Sequence, residues 1–418
     1  MARTVKQTAG DDDRQLKEPC HVTMPNASKL RLFIVISGLI CSTFAAFTTL
    51  WIVVPAPAYQ LWLVAVVASE WSLWFGAIGL LGAGLSLFAL KHGNHRVVAL
   101  AVVLGLLAMV LALISLLQAW RVAQANDVQL SLQRYVFGAN GAPDKRDSQT
   151  FVYATVDGQT LKLDTYLPAR VGNETEQRAA IIVVHGGSWN GGDKSDFPQW
   201  DGWLTGQGYA VFDVEYRLAP QPNWKTATGD IKCAIGWVKH NASRFGVDPE
   251  RIALMGRSAG GHLALLAAYA SGDERLPSSC DAPDTSVRAV IALYAPTDLR
   301  WAYDHPANQR VIDGPATLRS FLGGDPQMAA KAFEIASPLT HVNEKTPPTL
   351  LFHGGHDQLV REENMELLGQ QLAAARVPYK AVFIPYAQHG FDYNFNGWGS
   401  QIAQPVMLRF LQTNLARR

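Results

Sequence analysis

Two kinds of hydrophobic pattern divide the chain. Three long stretches are apolar at almost every position: Leu32–Val54, Trp71–Leu90 with an apolar lead-in from Leu61, and Val97–Trp120. Each reaches the roughly 20 residues that a helix needs to cross a hydrocarbon core. No other backbone form is satisfied there, which predicts three membrane helices over 32–54, 70–90 and 97–120. From about residue 150 the pattern becomes short apolar runs separated by helical spacing. "TFVYATV" and "LKLDTYLP" alternate about Asp157–Gly158 as a hairpin. "AAIIVVHGG", "YAVFDVEY", "RIALMG", "VRAVIALYAP", "PTLLFHG" and "YKAVFIPY" read as buried strands. Between them, Ile231, Ala234, Ile235 and Val238 recur at helical spacing. Strands alternating with helices predict an α/β domain with a mostly parallel sheet covered on both faces.

The resulting organisation is a polar, disordered cytoplasmic tail over 1–28, a membrane region over 29–121, a linker over 122–149 and the α/β domain over 150–418. Lys29 and Arg31 precede the first run, and Lys91 and Arg96 fill the loop between the second and third, whereas "PAPAYQ" after the first carries no Lys or Arg. Positive loops stay cytoplasmic, so the amino terminus is expected inside and the α/β domain outside, in the periplasm, lumen or extracellular space. A cleaved signal peptide ending at Ala56–Ala58 is the alternative for the first run, and it leaves that topology unchanged. Glu70 is read as the outer end of the second helix. Gly76, Gly79, Gly82 and Gly84 let helices approach closely, either within one chain or in a homodimer.

Chemistry-bearing residues cluster where the predicted strands end, the side of an open α/β sheet that binds ligands. "GRSAG", Gly256–Gly260, fits G-x-S-x-G, and it lies between a strand and the helix "AGGHLALLAAYA". That context makes Ser258 a nucleophile candidate on a sharp turn, flanked by small residues that avoid collision. Backbone N–H groups of Gly186 and Gly187 in "VVHGGSW", with that of Ala259 at the helix start, are candidate oxyanion donors. The remaining partners follow in chain order: Asp357 in "HGGHDQLV" and His389 in "YAQHGFD". Asp357 would orient His389, which would take and return the Ser258 proton. Asp298 is the alternative acid, Asp392 a loop-fixing residue, and His262, His353 and His356 structural. Arg300–Pro338 is expected to form a small cap that, with "WNGGDKSDF", sets substrate preference. Trp189, Arg257 and Trp301 are candidate pocket residues.

Composition narrows the remaining classes. The 418-residue chain has a net charge of +1, so no charged field recruits nucleic acid. Its four cysteines contain no CxxC. Cys233 and Cys280 read as two buried thiols, or as a pair if the domain faces an oxidising compartment. Asn173 and Asn241 begin N-x-S/T sequons.

From about Thr150 to Leu415 the chain resembles the α/β-hydrolase superfamily. It is most similar to the esterase/lipase branch that joins an HGG motif to a GxSAGG elbow, including hormone-sensitive-lipase-like carboxylesterases and the bacterial dienelactone hydrolase/feruloyl esterase-like group. The residues that carry the resemblance are "HGGSW", "VEYRLAP", "DPERIALMGRSAGGHLA", "HGGHDQLV" and "QHGF". Many relatives have Asp before the elbow serine, where this chain has Arg257. The resemblance implies a serine esterase acting on small-molecule or lipid-like esters without metal or organic cofactor. Residues 1–121 lie outside it, and their apolar runs make the expected enzyme membrane-anchored. Membrane helices joined to such a domain also resemble isoprenylcysteine methylesterases. A peptidase or amidase on the same residues, or a silent binding module, are the further alternatives.

Overall fold

The computed structural model describes residues 27–89, 94–138, 148–169 and 177–417. The tail up to residue 26, Leu90 and Lys91 of the second run and its loop, residues 139–147 of the expected linker, and Asn173 lie outside the described residues.

The membrane-type runs become helices α1 (Ala27–Leu50), α2 (Tyr59–Glu70), α3 (Ser72–Phe88) and α4 (His95–Ala125). Two of them, α1 from Lys29 and α4, are long and apolar enough to cross a membrane. The apolar lead-in to the second run is a separate helix: α2 meets α3 at 88°, the geometry of a broken span or a re-entrant loop. Glycines allow α1, α3 and α4 to touch backbone to backbone. A Cβ on Gly82 would lie 2.6 Å from the Gly38 carbonyl oxygen, and one on Gly105 would lie 2.2 Å from that of Gly79. Gly76, Gly79 and Gly82 are thus occupied within one chain, while Gly84 faces open space.

After α5 (Leu132–Phe137) the eight strands are β1 (Gln149–Val156), β2 (Gln159–Tyr166), β3 (Arg178–Val184), β4 (Ala210–Val214), β5 (Val247–Arg257), β6 (Ala289–Leu293), β7 (Thr349–Gly354) and β8 (Tyr379–Ile384). They form one sheet in the order β1-β2-β4-β3-β5-β6-β7-β8. β2 pairs antiparallel with β1 and β4, and the other pairings are parallel. The period-two alternation of each inner strand serves two cores. Ile182, Leu254 and Val290 face the layer of α7 (Trp224–His240) and α9 (Ala259–Tyr269). Ile181, Met255 and Ile291 face the opposite layer. There α6 (Pro198–Gly206) and the last helix, Trp398–Asn414, fill the core, while the short α8 (Ala242–Phe245), which follows α7, belongs to the first layer.

The stretch read as a linker, 122–149, enters this second core in its described part. The end of α4 supplies Ala119 and Ala123, and Val128 and Tyr135 are buried beside them. The Tyr135 ring stacks on Trp398 at 4.1 Å. Its apolar positions are too few to show a period, and Leu132 and Phe137 stay exposed, but Val128 and Tyr135 are buried in the second core. The cap lies between β6 and β7 and consists of α10 (Leu299–Asp304), α11 (Gly314–Leu322), α12 (Ala330–Ile335) and a 3₁₀ turn, Pro338–His341. Then α13 (Glu363–Ala374) follows β7, and the last helix, Trp398–Asn414, is α14.

Cys233 of α7 and Cys280 are joined in a disulfide, their Cα atoms 5.4 Å apart and 47 residues apart in sequence. Of the two readings left open by sequence, pairing is the one the structure has. Replacing both by alanine is expected to lower the unfolding free energy by about 4 kcal/mol, the chain-entropy value for a loop of this size. Chemical denaturation of the full chain in detergent measures this. A midpoint equal to wild type would mean that the bond adds nothing.

Candidate active site

Ser258 sits where β5 turns into α9, with φ +53° and ψ −124°. This conformation lies outside the regions that L-residues favour and costs on the order of 1–3 kcal/mol, so the surroundings must impose it. They do so through backbone contact. The Ser258 N–H donates to the Leu293 carbonyl of β6 at 2.9 Å. A Cβ on Gly260 would lie 2.2 Å from the His185 carbonyl oxygen and 2.3 Å from that of Val184. Only glycine lets α9 start this close to β3.

The three residues expected to act together are brought together. His389 Nε2 lies 2.9 Å from Ser258 Oγ, and His389 Nδ1 lies 2.7 Å from Asp357 Oδ2. An ionised carboxylate only accepts hydrogen bonds, so Nδ1 carries the ring proton and Nε2 is left to accept from the Ser258 hydroxyl. Asp357 Oδ1 accepts from the N–H groups of Leu359 at 2.8 Å and Val360 at 2.9 Å. Burial disfavours its charge, but His389 and His353 beside it outweigh burial and hold its pKa well below the usual carboxylate range. A charge held this way favours the folded state above the ordinary carboxylate pKa, and the gain is lost as pH falls toward the depressed value.

Gly186 lies against Ser258: a Cβ there would be 3.3 Å from Ser258 Cβ. Gly187 has φ +109°, which a side chain would strain. Ala259 is the first residue of α9, where N–H groups have no intrahelical acceptor. Ser258 and Ala259 line a cleft that opens above the turn. The cleft is walled by Trp189 and by apolar residues of the cap and its neighbour, including Ala302, Ile312, Leu318 and Leu359. Of the loop after Gly186 and Gly187, Ser188 and Trp189 line it; the "NGGDKSDF" part of the expected specificity stretch does not.

Trp189 is held by chemistry rather than by packing alone. Its indole N–H donates to His262 Nδ1 at 3.1 Å, and its ring stacks on Phe321 at 4.3 Å. His262 Nε2 in turn donates to the Ala336 carbonyl at 2.7 Å. Burial pushes the His262 pKa down to about 4, so the ring stays neutral and able to accept from Trp189. His353 is likewise bonded to the Val360 carbonyl at 2.9 Å. Asp298 caps α10 through the Trp301 N–H at 2.9 Å and takes no part in the site.

Two expected pocket residues lie elsewhere. Arg257 points to the other face of the sheet, because side chains of successive strand residues alternate. It pairs with Asp392 at 2.5 Å, and its guanidinium lies 4.0 Å over the Phe197 ring. Trp301 stacks on His305 at 4.6 Å, and it is His305 that lines the cleft. Asp392 does fix its loop, through Arg257 and through the Tyr294 hydroxyl at 2.6 Å.

Tyr294 itself escapes the sequence reading. It follows β6 with φ +43°, and its ring centre is 4.5 Å from that of His389. The only signal was an aromatic residue just past a strand end. Burial also raises the pKa of both Asp201 and Asp213, which lie under the sheet; the charge of Asp164 nearby adds to the rise in both, and that of Asp201 adds to it in Asp213.

A sheet of this order bearing Ser, Asp and His on its strand-end loops defines an α/β hydrolase. The BD-FAE family model matches residues 163–372, half of the chain, and the chain belongs to that family. The probable carboxylic ester hydrolase LipM of Mycobacterium tuberculosis is 31% identical over 223 residues, 51% of this chain and 49% of that protein. The isoprenylcysteine alpha-carbonyl methylesterase ICME of Arabidopsis thaliana is 28% identical over 257 residues, 58% of this chain and 56% of that protein. Among solved structures, the propionate-bound esterase Est2 of Thermogutta terrifontis superposes with a TM-score of 0.53 and 26% identity, covering 66% of this chain and 98% of that one. The chain spans about half the length of the curated relatives it matches.

Arg257→Met leaves Asp392 buried without its cation. Losing one partner of such a pair costs about 3–5 kcal/mol. The expected outcome is a lower unfolding midpoint with KM for an ester unchanged in the folded fraction. A raised KM at unchanged stability would instead place Arg257 on the substrate.

Proposed function

We propose that this chain is a membrane-anchored serine hydrolase that cleaves carboxylic esters. The observation that carries the reading is the unbroken Ser258–His389–Asp357 hydrogen-bond chain at the floor of an apolar cleft. His389 Nε2 takes the Ser258 proton as Oγ adds to the ester carbonyl. Negative charge then develops on the carbonyl oxygen, and the N–H groups of Gly186, Gly187 and Ala259 are its donors. The tetrahedral species collapses, the alcohol leaves with the proton from His389, and the acyl group stays on Ser258. Water repeats the sequence, giving its proton to His389. Collapse then releases the acid and returns the proton to Ser258. Asp357 acts throughout by keeping the His389 ring in one tautomer and orientation.

The names of LipM and of the Mycobacterium tuberculosis esterase LipC support ester hydrolysis over the amidase and silent-module alternatives. The similarity to ICME supports a second reading, a methyl ester on a prenylated cysteine, for which the apolar cleft supplies a surface. For the anchor, α1 and α4 are the candidate spans, with α2–α3 as the third. Lys29, Arg31 and Arg96 support a cytoplasmic amino terminus, and the Cys233–Cys280 bond supports an oxidising location for the α/β domain.

The test is hydrolysis of p-nitrophenyl esters of graded acyl length by the full chain in detergent, beside Ser258→Ala. Turnover by wild type, and a loss of about 10⁴-fold or more in the variant, is expected. Turnover that survives in Ser258→Ala would overturn the assignment.

A further inference from the structure

The connection between α1 and α2 does more than join two membrane helices. It reaches the loop that carries Asp357 and makes a closed set of hydrogen bonds there. The Ala56 N–H donates to Gln358 Oε1 at 2.7 Å, and that oxygen also accepts from Asn308 Nδ2 at 2.9 Å. Asn308 Nδ2 donates as well to the Ala56 carbonyl at 2.6 Å, and the Asn308 N–H donates to the Gln358 carbonyl at 3.1 Å. On its other side, Gln358 Nε2 donates to Gln388 Oε1 at 3.1 Å.

One amide side chain therefore ties four parts together. They are the α1–α2 connection through Ala56, the cap through Asn308, the Asp357 loop through its own backbone, and the His389 loop through Gln388. Ala56, Gln358 and Gln388 are all buried, the last only 1% exposed. The Gln358 amide, whose oxygen and nitrogen are both paired, is held in one geometry, because any other leaves a costly unpaired group. Gln388 accepts from it, while its own Nε2 has no partner among the described residues. Apolar contact backs the polar set: Trp62 and Val66 of α2 pack with Ala56, Val311 of the cap and Leu359, a wall of the cleft.

We infer that the membrane region is a working part of the active site, and that Gln358 is a positioning residue through which the Ala56 segment fixes the spacing of the Asp357 and His389 loops. This rests on Ser258 and His389 being the reacting pair. Gln358 touches no substrate: among the cleft's lining residues are Leu359 and Val360, which follow it, but not Gln358 itself. Its loss should therefore slow the chemistry and leave binding alone.

The test compares the full chain in detergent as wild type, Gln358→Leu and Gln358→Glu. Two rates are read: ester turnover, and covalent labelling by a fluorophosphonate, which reports on the serine–histidine pair whatever the natural substrate is. Gln358→Leu removes every side-chain bond at similar size. It is expected to lower kcat and the labelling rate together by about 10- to 100-fold, the range that a small misplacement costs, with KM within about twofold. Gln358→Glu keeps the acceptor for Ala56 and Asn308, and Gln388 can turn its amide to donate, so most of the rate should return. Wild-type rates in Gln358→Leu would overturn the inference. So would a rise in KM at constant kcat, or a lower melting temperature in both variants with no rescue by Glu. If wild type is labelled but cleaves no ester, the ester reading fails, and the labelling ratio still decides the role of Gln358.

Discussion

The site depends on one strained turn. Ser258 holds a positive φ only because the backbone of β3 and β6 closes on it from both sides, through Gly260 against Val184 and His185 and through the Leu293 carbonyl. That pressure comes from the middle of the sheet, where the parallel strands are buried on both faces and cannot yield. The turn lifts the Ser258 hydroxyl above the strand ends, to where the loops after β7 and β8 bring Asp357 and His389. The functional geometry is thus set by the least deformable part of the fold.

Around that centre, polar groups are placed by the face to which each strand directs them. Above the sheet, His389 meets Ser258 and Asp357, and His262 stays neutral to hold Trp189 in the cleft wall. Below it, Arg257 and Asp392 form a buried pair, and Tyr294 bonds the pair while its ring touches His389. The loop that carries His389 is held from both sides, by Asp392 below and by Gln388 at its own level.

Much of this was legible in the sequence. Strand order along the chain, the elbow and the positions of Asp357 and His389 follow from local patterns, namely apolar runs that end in Gly, His or Asp. Proximity to Ser258 in sequence points Arg257 toward the cleft, whereas strand alternation sends it to the far face. Val128 and Tyr135 read as linker because isolated apolar residues have no period; in the fold they join the second core, where Tyr135 stacks on Trp398 of α14. The Ala56–Gln358 contact spans 302 residues and involves a backbone N–H. No residue type signals such a bond, so only the fold shows it.

The most direct measurement is to trap the acyl group. The full chain is quenched in acid during turnover of a slow ester, digested, and its peptides weighed. The account predicts the mass of the acyl group on the peptide that contains Ser258 and on no other, and none of it after Ser258→Ala. An acyl group on a different residue, or ester cleavage with no trapped intermediate under burst conditions, would contradict it.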